Sequence, residues 1–216
     1  MQWDPALFEQ AHEQTYYVDD WQKYIVIPSP PSNTSEETKT DIATMLSYKA
    51  LRTPEKIQEI KDQADFNTLQ FNGHNISDYF DATKFPLTSK ALSRSFRDIS
   101  DIVLSAKLKF NRVRPSVLEP SLDPVIPIPG HPSYPSGHST QSYFLAYFFA
   151  QLEPQKKDKL LAEASNIAKN REIAGLHYPS DTAAGKALAE QFMTILLKNK
   201  EFVSLLEAAK KEWPAS

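Results

Sequence analysis

Proline placement constrains this chain more than any other feature. Each proline removes a backbone donor and drives the residue before it out of the α region. The prolines gather in two runs, Pro28-Ser-Pro-Pro31 and the seven from Pro115 to Pro135. Outside them the apolar residues recur at helical spacing, and no alternating apolar–polar stretch of strand length occurs. The pattern predicts an all-α fold, a single-domain multi-helix bundle of roughly eight to nine helices in layers, with no internal repeat.

The expected helices follow from periodicity and caps. One covers 4–24, opened by Asp4-Pro5, and runs into the prolyl strap at Pro28. The next starts at Ser35 and carries Ile42, Met45, Leu46 and Leu51. A third, capped by Thr53-Pro54-Glu55, reaches about Phe66, and a short one lies at Ile76 to Phe80 in a loop that also holds His74, read as a surface turn residue. A long helix over 88–110 presents Leu92, Phe96, Ile99, Val103 and Leu104 on one face, and Pro115 is expected to end it. Residues 115–135 read as a rigid irregular loop, followed by helices over 137–152, 156–175, 180–198 and 200–212. One domain therefore covers 1–216: an N-terminal helix and strap (1–33), a helical core (34–199) and a C-terminal helix (200–216).

Composition removes several function classes. A net charge of −3, from 24 basic and 27 acidic residues, gives no global basic field to recruit nucleic acid. Any anion site must come from local cations. With no cysteine there is no disulfide, thiolate catalysis or cysteine-bound metal. No apolar run reaches the length of a membrane span. The start, Met-Gln-Trp-Asp-Pro, lacks a basic n-region and an apolar h-region, so the chain reads as cytosolic or as an exported protein already processed.

Three clusters carry chemistry. The first is Lys107-Leu-Lys-Phe-Asn-Arg-Val-Arg114-Pro115. Two helical turns separate Lys107 from Arg114, which places both on one face, while Lys109 and Arg112 between them point elsewhere and read as solvated. The second is Pro135-Ser136-Gly137-His138, where a loop becomes a helix; free amides and the positive dipole end attract anions there, beside a titratable imidazole. The third runs from Arg171 to Asp181, with His177 in an elbow between Gly175 and Pro179 and within reach of the Asp181 carboxylate. Alone, each also reads as ordinary structure: cations at a helix C-terminus, a serine cap, a satisfied histidine in a turn. Together they supply three fixed cations, an anion-cradling terminus, a proton donor and an oriented imidazole. That set suits phosphoryl transfer without a metal. His131 reads as structural or solvent-facing, with a place at the pocket mouth that shapes leaving-group preference as the alternative, and Tyr143, Phe144, Tyr147, Phe148 and Phe149 as core.

The ordered motifs Lys-x6-Arg-Pro, Pro-Ser-Gly-His and Arg-x5-His-x3-Asp resemble the signature of the type-2 phosphatidic acid phosphatase superfamily, which includes the vanadium haloperoxidases. The chain is most similar to the bacterial class A nonspecific acid phosphatases, with Pro28-Ser-Pro-Pro31, Leu51-Arg52-Thr53 and Ser133-Tyr-Pro-Ser-Gly-His as further likenesses over about 25–198. It departs at Asn170, where the family has serine. The resemblance implies an all-α fold of the acid phosphatase and haloperoxidase type. It also implies roles: His177 as nucleophile forming a phosphohistidine, Asp181 on its other nitrogen, and His138 as acid and then base. Lys107, Arg114, Arg171, Ser136 and Gly137 would hold the phosphoryl oxygens. No metal and no cofactor is implied, with phosphate or vanadate as expected occupants. The implied substrate is a small phosphomonoester and the implied location periplasmic; homo-oligomerisation stays open. A vanadium haloperoxidase, a soluble lipid-phosphate phosphatase and a non-catalytic anion binder are the alternatives.

Overall fold

The computed structural model describes residues 15–64 and 80–213. Its centre is the helix Gly137–Leu152 (α5). Apolar side chains face every direction along this segment, so it is stable only when surrounded. Tyr143, Phe144, Leu145, Ala146, Phe148 and Phe149 are all buried. Around it stand Pro86–Phe110 (α3), Lys157–Ile173 (α6) and Pro179–Leu196 (α7), each packed on α5. Lys200–Lys210 (α8) packs on α3. Glu36–Ser47 (α1) lies against α7 and Pro54–Asp62 (α2) against α6. Phe144 meets Phe192 edge-on at 5.5 Å between centroids, and Phe148 contacts Phe202 at 6.3 Å, which joins α5 to α7 and α8. The described residues form helices, turns and irregular segments without a strand, the all-α fold expected. No helix among them is long and apolar enough to cross a membrane.

Caps decide several boundaries. Ser35 accepts from Thr38 N at 3.2 Å and Thr53 from Lys56 N at 3.2 Å, as their positions before acidic first turns predict. The first residues of α3 have no local cap. Instead Glu212, after α8, accepts from Leu87 N and Thr88 N at 2.7 and 2.9 Å, while Trp213 donates to Thr88 Oγ1 at 2.9 Å. A tertiary partner thus replaces the missing capping residue.

Three expectations are corrected. The first described residues of the 4–24 segment are not helical: they turn, with a 3-10 turn at Trp21–Lys23, because the Asp98 carboxylate takes the Tyr16 and Tyr17 N–H groups at 2.7 and 2.8 Å. Residues 4–14, the end of the third expected helix beyond Ala64, most of the Ile76–Phe80 helix and His74 lie outside the described residues. The 115–135 loop contains a single helical turn, Pro115–Leu118 (α4), and a 3-10 turn at Pro120–Leu122. Finally, α3 is ended by Asn111 rather than Pro115: Asn111 adopts the left-handed conformation (φ 46) and donates its N–H to Lys107 O at 2.9 Å. Arg114 is therefore off the helix, extended, and serves as N-cap residue of α4.

Candidate active site

The reversal at Asn111 folds the Arg112–Arg114 segment back over α3. Lys107, buried in the last turn of α3, donates to Pro132 O at 2.8 Å and Ser133 O at 3.1 Å. Two of its three donors are thereby fixed to the proline loop and one is left for a ligand. Arg114 is fully buried; its Nε donates to His131 O at 3.1 Å and its Nη1 to Leu176 O at 2.9 Å. Lys107 and Arg114 meet at the site as expected, through a reversed chain rather than a shared helix face.

Ser136 caps α5, its hydroxyl accepting from Ser139 N at 3.3 Å, and Gly137 opens the helix, so its amide has no intrahelical acceptor. This terminus is clamped to α7: Ser136 N donates to Asp181 O at 3.1 Å, and Ser139 Oγ donates to Thr182 O at 2.7 Å. The approach needs Gly185, where a Cβ would stand 2.7 Å from Ser136 O.

The elbow supplies the remaining groups. Gly175 takes the left-handed turn after α6 (φ 81), and Arg52 fastens the turn by donating to Ile173 O and Asp123 O, both at 2.8 Å. Asp181, three residues into α7, accepts from Tyr178 N at 3.1 Å and lies 3.3 Å from His177 Nδ1. On the other side of the ring, Arg114 Nη1 is 3.0 Å from His177 Nε2. A guanidinium can only donate, so Nε2 accepts and the ring proton sits on Nδ1, towards the carboxylate. Burial, then Arg114, Lys107, Arg171 and His138, holds the His177 pKa well below its usual value. It is a neutral imidazole.

Arg171 is buried, and its Nε and Nη1 have no hydrogen-bond partner among the described residues. Burial and then Arg114 lower its pKa to about 10, and burial lowers that of Arg114 to about 10 as well; both remain cations at neutral pH. Lys107 is pulled down by burial and then by Arg114. Three cations repel one another here, a charge distribution that an anion would relieve. His138 has its Nε2 3.3 Å from Ala64 O, and burial followed by Arg171 depresses its pKa strongly. With Arg171 it lines a cleft of about 460 Å³ whose other walls are Val125, Ile126, Pro127 and Pro129, with Lys61 and Ala64 at one side.

One reading from the sequence needs correction, and two others gain a physical basis. Arg112, expected in solvent, is 4% exposed, with Nη1 2.7 Å from Asp181 Oδ1, because the left-handed Asn111 breaks the helical register that would have turned it outward. The αL tendency of asparagine near a helix end was the available signal. His131, read as structural or solvent-facing, sits beside Arg114, with its Nδ1 3.1 Å from Arg114 Nη2. Asn170, the departure from the family serine, donates to Glu59 Oε1 at 2.9 Å and Gln63 Oε1 at 2.8 Å, which ties α6 to α2. Lys109 is exposed, as expected.

Comparison with known proteins adds an independent line. Residues 87–202 match the family model described as the PAP2 superfamily. The chain is 27% identical over 213 residues to a non-specific acid phosphatase of Providencia stuartii, covering 92% of this chain and 84% of that protein. It is 25% identical over 217 residues to an acid phosphatase of Zymomonas mobilis subsp. mobilis, covering 94% and 80%. Against a non-specific acid phosphatase of Salmonella typhi the identity is 24% over 175 residues, covering 74% and 67%. The matched segment spans Lys107, Arg114, the Ser136–His138 turn and the Arg171–Asp181 elbow, and the chain is a member of the PAP2 superfamily.

Proposed function

We propose that this protein is a metal-independent acid phosphatase that hydrolyses small phosphomonoesters through a phosphohistidine at His177. The observation that carries the proposal is Arg171: a buried guanidinium with two unpartnered N–H groups, beside two further buried cations and a neutral imidazole. Such a set is costly without an anion and complementary to one. Nothing in the packing requires a glycine at 137, where a Cβ would meet only ordinary contacts at 3.8 Å. Its absence leaves the helix terminus open to a phosphoryl oxygen.

The steps follow from these positions. The phosphoryl oxygens take the free donors of Lys107, Arg114 and Arg171, the Ser136 hydroxyl and the Gly137 amide. Arg114 turns its Nη1 from His177 Nε2 to the phosphoryl group, which frees the Nε2 lone pair. That lone pair forms the P–N bond as the P–O bond to the leaving group breaks, and His138 gives its proton to the departing oxygen. Asp181 stabilises the charge that develops on the His177 ring. Water then attacks phosphorus and loses a proton to His138; the P–N bond breaks, phosphate leaves, and Nε2 regains its lone pair. His138 is neutral in the free enzyme, and the bound dianion favours its charged form, so activity peaks on the acid side of neutrality.

The test combines two assays. Hydrolysis of an aryl phosphate is expected to persist in excess EDTA. Rapid quenching with a radiolabelled ester is expected to trap an acid-labile, base-stable phosphoenzyme that His177→Ala lacks. Activity lost with EDTA, or retained in His177→Ala, overturns the proposal. A periplasmic location belongs to the same reading, on the likeness to bacterial acid phosphatases, and release by osmotic shock checks it.

A further inference from the structure

Arg112 lies outside the residues assigned above to phosphate or to the reacting histidines. It is nevertheless the only described side chain that ties the carboxylate of Asp181 to α1. Its Nη1 donates to Asp181 Oδ1 at 2.7 Å and to Ser180 Oγ at 2.8 Å. Its Nη2 donates to Thr38 Oγ1 at 3.1 Å and stands 3.9 Å from Asp41 Oδ2. Ser180 in turn donates to the same Asp41 oxygen. The guanidinium plane covers the Tyr178 ring at 3.9 Å from its centroid, immediately after His177 in the chain.

The two oxygens of Asp181 are thus divided. Oδ2 serves His177 Nδ1 and Tyr178 N; Oδ1 serves Arg112. We propose that Arg112 is a positioning residue for the nucleophile: it fixes the Asp181 carboxylate in the rotation and ionised form that keep the proton on His177 Nδ1. The proposal rests on His177 being the nucleophile. Without Arg112 the carboxylate is free to turn about its Cβ–Cγ bond, and Oδ1 is left buried and unpaired. A carboxyl group that took up a proton there would accept more weakly from Nδ1–H and, once turned, could present its O–H to the ring, so the tautomer with the proton on Nε2 would compete. That tautomer has no lone pair facing phosphorus.

The surroundings of Asp181 set the direction of the pH effect. Burial raises its pKa; Arg112 first, then Lys107, lowers it. Arg114 also faces it, as do His177 and Tyr178 in the elbow and Tyr134 from the proline loop, while Asp41 of α1 reaches it only through Arg112. Of these groups Arg112 makes the direct ion pair. Removing it lets the burial effect prevail, so the carboxylate protonates at higher pH.

Arg112→Met is therefore expected to lower kcat by on the order of ten- to a hundred-fold, with KM changed much less, since the nucleophile and not the phosphate cradle is misplaced. The acid limb of the kcat–pH profile should move to higher pH. Arg112→Lys should restore the limb and part of the rate, because it keeps the charge and loses the planar fork. Where Arg112→Met does not fold, Thr38→Val, which removes the Nη2 acceptor together with the hydroxyl's local bonds to Ser32 O and Ser35 Oγ and leaves Arg112 in place, should show a smaller shift in the same direction. Lys109→Met, an exposed neighbouring cation, should leave the profile unchanged. An acid limb unmoved in both Arg112→Met and Thr38→Val, or a loss confined to the amount of folded protein, overturns the proposal. Phosphoenzyme trapping separates the two failures. A wild type that traps no phosphoenzyme refutes the His177 reading itself, whereas a wild type that does, with Arg112 variants trapping at the same rate, refutes only the positioning role.

Discussion

His138 and His177 carry the same side chain and are held in opposite ways. His177 is gripped at both nitrogens, by Asp181 at 3.3 Å and Arg114 at 3.0 Å, so its tautomer is set by its neighbours. His138 has Nε2 3.3 Å from the Ala64 carbonyl and opens onto an apolar cleft shaped by Val125, Ile126 and Pro127. A ring that donates a proton to a leaving group needs that second setting. His138→Asn should accordingly slow hydrolysis of alkyl phosphates far more than that of aryl phosphates with acidic phenols, whose oxygens leave without protonation; equal losses on both substrates would remove His138 from the acid role. His131 offers a second measurement. Burial, then Lys107 and Arg114, lowers its pKa to about 3, while the unfolded chain protonates it near its ordinary value. Its contribution to stability is therefore intact above about pH 6.5 and is lost as pH falls below that. His131→Asn should lose less unfolding free energy than the wild type between about pH 8 and about pH 5, measured by denaturant titration at both.

At the scale of elements, α5 does two jobs at its two ends. Its middle and C-terminal part is the aromatic centre of the bundle, and its first turn is a wall of the site. The contact that aligns this turn with α7 is the bare backbone at Gly185, against Ser136 O. Gly185→Ala forces that oxygen and a methyl group apart. It should cost about 1–3 kcal/mol of stability and lower activity as well, because the Ser136 N to Asp181 O bond joins the same surfaces. A variant as stable and active as the wild type, by thermal unfolding and phosphate release, would refute the close-packing account. This element was legible in the sequence: Ser136-Gly137 announced the helix start and the aromatic run announced its burial. The end of α3 at Phe110 was legible too, but its cause was not: Asn111, a left-handed residue, turns the chain before Pro115 and brings Arg112 inward to a carboxylate 69 positions away.

For the whole molecule, the site is a meeting of segments that the helical layers hold in place. The long α3 brings Lys107, the proline loop buries it, α5 brings the anion-facing turn, and the α6–α7 elbow brings Arg171, His177 and Asp181. Three mutually repelling cations make the site a source of instability that an oxyanion should remove. Orthovanadate or phosphate at a hundred times its dissociation constant should add about 2.7 kcal/mol to the unfolding free energy. The corresponding rise in Tm should shrink in Arg171→Gln. A wild-type Tm unaffected by either anion would contradict an anion-binding site at this junction.

What the sequence alone determined were the all-α class and most helix spans, because these are written in short-range periodicity and proline stops; spacing within single motifs nominated the eight candidate site residues. Tertiary structure decided the rest. It placed Asp98 on the N-terminal backbone and Glu212 on the start of α3, turned Arg112 from a solvated cation into a partner of Asp181, and brought His131 beside Arg114. Each of these is a contact between distant residues whose geometry depends on how the chain reverses. A left-handed residue such as Asn111 sets that direction only once the surrounding helices have fixed where the chain must go.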